Sequence, residues 1–312
     1  MSTCMDRATV YIPTLNGGEA LRECLLSLRA QTLPVEVVVA DNNSGPACQQ
    51  LLESEFPEVT RVAMGGNRGF GPALNRAIAE RGSGPIILVN DDAVADPGFA
   101  SAMIAAASSG AEMVAAVLVS GTDESMIDSA GIEVDETAMG YDYLSGEPVE
   151  AAANAAAPIA PTGGGALYSR EAFGRVGGFD ERIFLYYEDL DLGLRIRASG
   201  GTCVLAPEAR LRHAYSQTLG ALSAAKFRHT GWSRGYMMRT YGVGRKPALM
   251  ARALLVEALV CLGQIATRRT FQGALGRIRG WRAAGSNERR ELDSAWITDL
   301  SLREALGRRS KR

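Results

Sequence analysis

Five short apolar runs with little alternation punctuate the first 120 positions: residues 8–12, 35–40, 59–63, 85–90 and 113–119. Between them, residues 18–30, 46–55, 69–81 and 97–108 carry apolar positions at helical spacing. The runs are rich in Val and Ile, which suits strands buried on both faces of a mostly parallel sheet. Strand–helix alternation with short loops predicts a doubly wound α/β layer. Ligands of such sheets bind beyond the carboxyl ends of the strands. Four of those ends carry polar or glycine-rich loops: residues 13–18, 41–45, 65–71 and 90–93. One such loop is ordinary turn chemistry, but four on one edge describe a crevice.

The pattern then changes. Residues 120–160 are rich in Gly, Ser and Ala and read as irregular strands with a mobile loop. A second structured block runs from about 162 to 216. Beyond Pro247 the spacing predicts long helices over 248–267, 271–284 and 287–306. The division expected is 1–245 for the α/β domain and 246–312 for a helical region, membrane-associating or oligomerising.

Composition adds a few limits. The 312 residues are 46% hydrophobic with net charge −2, so a large globular core is expected. The five cysteines form no Cys-x-x-Cys pair, which excludes a zinc ribbon and fits a reduced compartment. The N-terminus shows no signal-peptide pattern, so a cytoplasmic setting is expected. No uncharged apolar run reaches the roughly 20 residues of a spanning helix. Arginines crowd the chain from Arg268 onward. They suit an anionic membrane surface or a solvated helix face equally, and no nucleic-acid-binding module accompanies them.

Three constellations could carry chemistry. Asn90-Asp91-Asp92 ends a buried strand, and its clustered oxygens suit Mg²⁺ or Mn²⁺ or, equally, a helix cap. Glu188-Asp189-Leu190-Asp191 places three carboxylates in four residues among apolar neighbours. Such surroundings raise a carboxyl pKa toward that of a useful base, while acidic residues also favour a helix's first turn. Gly163-Gly164-Gly165 would let the backbone approach a bulky ligand, or form a flexible turn. His213, one of two histidines, reads by itself as structural. The glycine loop at 65–71 has neither a Walker lysine nor the dinucleotide spacing.

Taken together, five elements resemble the family 2 inverting glycosyltransferases, with a glycosyltransferase A-type fold, and rhamnosyltransferase-like and galactofuranosyltransferase-like members in particular. They are Pro13-Thr14-Leu15-Asn16, Asp41-Asn42-Asn43-Ser44, the run Asn67 to Asn75, Asn90-Asp91-Asp92, and Gly178-Phe179-Asp180-Glu181 followed by Tyr187 to Arg195. The resemblance implies a nucleotide-sugar donor and a glycan or lipid-linked acceptor in cell-surface polysaccharide biosynthesis. It implies that Asp41 accepts from a uracil or thymine ring NH. Pro13, Thr14, Asn16, Asn67, Arg68 and Gly69 would complete the nucleoside pocket, with Asn90 facing the ribose and Asp91 beside it. Asp92 and His213 would hold the metal, Asp189 would be the base, and Glu188 and Asp191 would shape the acceptor site. Asn90 departs from the family's first metal-motif aspartate, which removes one negative charge. Two other readings compete. A non-catalytic sugar-nucleotide-binding scaffold would need neither Asp92 nor Asp189. A nucleotidyltransferase would need a basic phosphate loop after the first strand, and residues 13–18 contain no Lys or Arg.

Overall fold

The structure, a computed structural model, describes residues 8–213, 223–287 and 289–310. They form two compact units. The first takes residues up to 132, 142–184 and 188–213; the second takes 133–141, 185–187 and the chain from 223 on.

The first unit is built on a nine-stranded sheet. Strands β1 (Thr9–Thr14), β2 (Glu36–Asp41), β3 (Thr60–Ala63) and β4 (Ile86–Val89) run parallel in the order β3-β2-β1-β4. The sheet continues through β10 (Gly165–Tyr168), antiparallel to both β4 and β6 (Met113–Ser120). Strand β11 (Cys203–His213) then runs parallel to β6, and β5 (Ala93–Ala95) ends the order antiparallel to β11. β7 (Ile127–Ser129) also pairs with β6.

Both faces are covered, as the unalternating strands require. Val10, Ile12, Val39, Ile87 and Val89 point to a core with α1 (Glu19–Arg29), α2 (Pro46–Glu55) and α4 (Phe99–Ala107). Their sequence neighbours Tyr11, Val38, Ala40, Ile86 and Leu88 point the other way, against α3 (Phe70–Glu80), α5 (Arg170–Arg175) and α6 (Glu188–Ala198). Helix α1 shows the local logic: Leu21, Cys24, Leu25 and Leu28 form its buried stripe at i, i+3, i+4 and i+7.

The structure departs from the sequence expectation in three places. Asp92 leads into β5, so the helix that follows starts only at Phe99 and the capping alternative for Asp92 falls away. The stretch 120–160 is ordered into β7, a two-stranded sheet of β8 (Ile132–Val134) and β9 (Gly140–Asp142), and a 3₁₀ turn at Val149–Asn154. The buried Asp135 carboxylate closes the turn between β8 and β9. It accepts from Thr137 N, Thr137 Oγ1, Met139 N and Tyr141 OH at 2.7–3.1 Å.

The third departure is in the helical unit, which comprises α7 (Ala224–Thr240), α8 (Pro247–Arg268), α9 (Gln272–Ala283) and α10 (Leu302–Ser310). The continuous helix expected over 287–306 does not form. Arg290 N bonds Thr240 O and Thr298 N bonds Val134 O, both at 2.8 Å, so this backbone finds partners outside a helix. Helix α10 starts late at a capping box, with Glu304 Oε2 accepting from Ser301 N at 2.9 Å and Ser301 Oγ from Glu304 N at 3.3 Å. Helices α7 and α9 cross through glycines. Gly231 meets the Gly273 backbone, Gly235 that of Arg277, and Gly280 that of Trp232, leaving no room for a Cβ. Beside this crossing Arg234 is buried, donating to Glu257 Oε1 at 2.8 Å and to Thr137 O at 2.7 Å. The second Glu257 oxygen accepts from Arg277 Nε at 2.6 Å.

Candidate active site

The carboxyl ends of β1 and β2 lie side by side, with Pro13 paired to Ala40 and Thr14 to Asp41. Pro13 and Thr14 are buried, while Asn16 is exposed on the loop beyond. Thr14 Oγ1 donates to Asp91 Oδ2 at 2.5 Å and accepts from Gly17 N at 3.1 Å, tying the first loop to the loop after β4. Asp41 is buried, and Oδ1 accepts from Ser44 N at 2.7 Å. Oδ2 is held by Arg61, with Nε at 2.8 Å and Nη2 at 2.7 Å. Burial alone would push this carboxyl up, but the Ser44 hydrogen bonds and the Arg61 guanidinium together hold it below its ordinary value.

The glycine loop after β3 is tied down on both sides. Asn42 Oδ1 accepts from Arg68 N at 3.0 Å, Asn42 Nδ2 donates to Gly69 O at 2.8 Å, and Asn67 Oδ1 accepts from Gly69 N at 3.0 Å. Gly69 is required here: its φ is +91°, and a Cβ would collide with the Phe184 carbonyl. That carbonyl accepts from Phe70 N at 2.9 Å. Asn75 then brackets Phe179, donating to its O and accepting from its N at 2.9 Å each. The motif at 67–75 and the motif at 178–184 are thus bonding partners.

Asn90-Asp91-Asp92 forms the turn between β4 and β5, and all three are half-buried. The charges of Asp91 and Asp92 reach the buried Cys24; burial first, then these carboxylates, push its thiol far up. Asp91 Oδ2 accepts from Thr14, and Asp92 follows it at the entry to β5. The β5–β11 pairing sets His213 opposite Ala93, one residue from Asp92. Among the described residues no group of three His, Cys, Asp or Glu side chains could by itself hold a metal ion.

Asp189 lies in the first turn of α6, half-buried. Its Oδ1 accepts from Leu190 N at 2.8 Å and its Oδ2 from Gly163 N at 2.9 Å. The next residue, Gly164, accepts from Asn90 N at 3.4 Å. Two consecutive glycines therefore join the turn after β4 to the Asp189 carboxylate. A Cβ on Gly163 would press on the Phe70 ring at 3.0 Å, and one on Gly164 on Asn90 Nδ2 at 3.0 Å.

The neighbouring carboxylates differ sharply. Glu188 is only 5% exposed, and burial, reinforced by the Asp189 charge, pushes its pKa well above the ordinary value. Glu188 Oε2 and the buried Tyr168 hydroxyl have no hydrogen-bond partner among the described residues. Asp191 is fully buried and accepts from Arg195 Nε at 2.8 Å, while Arg195 Nη1 donates to Val176 O at 2.8 Å. Asp191 thus anchors α6 and presents no surface to a ligand. Tyr186 and Tyr187, immediately before Glu188, both take left-handed backbone, φ +69° and +70°. Such conformations are costly outside glycine and cluster at functional sites.

Sequence reading missed one residue, Arg61, which sits inside an otherwise plain strand; only the pairing of β2 with β3 brings it to Asp41. Gly163, singled out in the sequence for close backbone approach, directs its N–H at Asp189.

Residues 9–177 match the model described as glycosyl transferase family 2, and residues 131–275 that of glycosyl transferase family group 2. The chain is 30% identical over 296 residues to an N-acetylglucosaminyl-diphospho-decaprenol L-rhamnosyltransferase of Mycobacterium tuberculosis, spanning 80% of this chain and 94% of that protein. The chain belongs to glycosyl transferase family 2. It is a glycosyltransferase acting in glycan biosynthesis. The chain is also 29% identical to the O-antigen biosynthesis protein RfbC of Myxococcus xanthus, over 66% of this chain and 17% of that one. Solved structures agree on the glycosyltransferase A-type fold. GalNAc-T7 with UDP, GalNAc and Mn²⁺ aligns with TM-score 0.63 at 15% identity, covering 90% of this chain and 55% of that one. The mannosyltransferase PcManGT of Pyrobaculum calidifontis, in complex with GDP-Man and Mn²⁺, aligns at 0.54 with 20% identity, covering 90% and 76%.

Proposed function

We propose that this family 2 enzyme transfers a sugar, with inversion, from a UDP- or dTDP-sugar to a hydroxyl of a glycan or lipid-linked acceptor. dTDP-rhamnose is the donor favoured, because the curated relative is an L-rhamnosyltransferase acting on a decaprenol-linked substrate. The setting is cell-surface polysaccharide assembly at the cytoplasmic face of the membrane.

The observation that carries the reading is the Gly163–Gly164 link, which ties the Asp189 carboxylate to the Asn90 turn. An acceptor hydroxyl is a weak nucleophile at neutral pH. Asp189, steadied by two N–H donors, takes its proton as the oxygen attacks the anomeric carbon, worth about 10²–10⁴ in rate. Asp41, held ionised, accepts from the ring NH of uracil or thymine, and Asn90 meets the ribose. Pro13, Thr14, Asn16, Asn67, Arg68 and Gly69 line the nucleoside. Asp92 and His213 would hold Mg²⁺ or Mn²⁺ together with the donor's diphosphate, where the ion neutralises the departing charge. Glu188, whose carboxyl pKa burial pushes up, and Asp191, through the placement of α6, shape the acceptor side.

Calorimetric titration with UDP, dTDP and GDP, with and without Mn²⁺, tests this. Metal-dependent binding of a pyrimidine diphosphate, lost in Asp92→Ala, is expected. Equal UDP and dTDP affinity with and without Mn²⁺ would refute the metal assignment. No binding of any of the three would move the reading to a non-catalytic scaffold.

A further inference from the structure

We infer that the α8–α9 hairpin is a monotopic docking surface for an anionic phospholipid bilayer. Of the exposed large apolar side chains among the described residues, all but Leu26 lie on these two helices. On α8 they are Leu254, Leu255, Leu259 and Leu262, recurring at i, i+1, i+5 and i+8 on one face. At the N-cap and along α9 they are Phe271, Leu275 and Ile278, at i, i+4 and i+7. Leu262 is 60% and Phe271 62% exposed, and they flank the bend between the helices. Such a concentration on a protein surface marks a partner or a membrane.

Charge decides between them. From Ala258 to Asn287 the chain has no Asp or Glu. Over the same stretch Arg268, Arg269, Arg279 and Arg282 are exposed, while Arg277 is taken by Glu257. A second copy of this chain would cover the apolar face but bring two such arginine sets together with no acid to pair them. Anionic headgroups pair with all four while the acyl boundary covers the leucines and Phe271.

The surface lies on the membrane and does not span it. α8 is long and apolar enough to cross by length and composition, with mean hydropathy 1.8. Its first half is committed to protein, however: Arg252 pairs with Glu136 at 2.6 Å, and the buried Glu257 with Arg234 and Arg277. The remaining stretch to Arg268 is about 16 Å at 1.5 Å per residue, half the hydrocarbon thickness of about 30 Å. Trp281 is not part of the face, because Gly244 and Arg239 pack against it.

As a route to the acceptor, the hairpin rests on the lipid-linked reading above. The test is flotation of the full chain with vesicles of phosphatidylcholine alone and of phosphatidylcholine with phosphatidylglycerol, at low and high salt. Binding to the anionic vesicles is expected to exceed that to neutral ones at least tenfold and to fall with salt. Leu262→Glu with Phe271→Glu should abolish it, and Arg268→Glu with Arg269→Glu should remove the anionic preference. Each variant is melted alongside wild type, and UDP titration with Mn²⁺ is run on all of them. Wild-type protein that stays in the soluble fraction, or a double apolar variant that floats equally well, would overturn the proposal. So would a dimer that Leu262→Glu with Phe271→Glu turns monomeric while neither form binds vesicles. Vesicle binding with no nucleotide binding would sink the donor-site reading and leave the surface standing.

Discussion

Asp189→Asn separates the proposed base from everything around it. Both carboxylate oxygens accept backbone N–H bonds, from Leu190 at 2.8 Å and Gly163 at 2.9 Å. Asparagine has the same shape but one acceptor, so one of those N–H groups comes to face an amide NH₂. An unmade bond of that kind costs about 1–3 kcal/mol, which a folded enzyme tolerates. The proposed donor pocket, at the ends of β1 and β2 and the loop after β3, keeps its own bonds, notably Thr14–Asp91 and Asp41–Arg61. Proton abstraction, by contrast, is lost entirely. The expected fall in transfer rate is about 10²–10⁴, or about 3–5 kcal/mol of barrier. Radiolabelled or coupled-assay transfer rates at saturating donor give the fall in rate, and calorimetric UDP titration gives donor binding. A variant that transfers sugar at the wild-type rate would refute the base assignment. One that lost nucleotide binding in parallel with rate would show that the substitution had disturbed the donor pocket instead.

Three further outcomes are expected. In Glu188→Gln the buried carboxyl that holds its proton becomes non-ionisable. Unfolded Glu188 ionises in the ordinary carboxylate range, while the folded group stays protonated to higher pH. Wild type therefore loses stability as pH rises through that range, until the folded group itself ionises. The variant should melt higher than wild type at neutral pH and converge with it in acid, and a pH-independent difference in melting temperature would contradict the buried-acid reading. Arg61→Ala leaves the burial of Asp41 opposed only by Ser44, so its carboxyl pKa should rise. UDP or dTDP binding by the variant should weaken as pH falls toward the carboxylate range, while wild type holds; identical pH profiles would remove Arg61 from the site. Glu257→Ala strands two guanidinium groups, one of them buried at 1% exposure, and should cost about 3–5 kcal/mol by denaturant titration.

The strands at 8–12, 35–40, 85–90 and 113–119 were legible because their centres are buried on both faces, which writes an apolar run into the sequence itself; the edge strand at 59–63 buries only Val62 and was legible through its β-branched residues. The loops at their ends were legible because turn chemistry is local. The juxtaposed strand ends therefore follow from the chain alone, with Thr14 paired to Asp41 and bonded to the turn that holds Asp91. The helical pattern at 248–267 was also local and held. What the pattern at 287–306 did not record was that Arg290 and Thr298 find better backbone partners in Thr240 and Val134. Long-range pairing of this kind has no period. For the same reason only the folded chain shows β10 running antiparallel through the middle of the sheet, with Gly163 at Asp189 and Gly164 at Asn90. Arg61 reaches Asp41 only because β3 lies beside β2. Asp189 and Asp191, two residues apart and alike in sequence, part company once α6 packs. Asp191 is sealed against Arg195 and Asp189 stays half-open, a difference of burial that helical rotation alone decides.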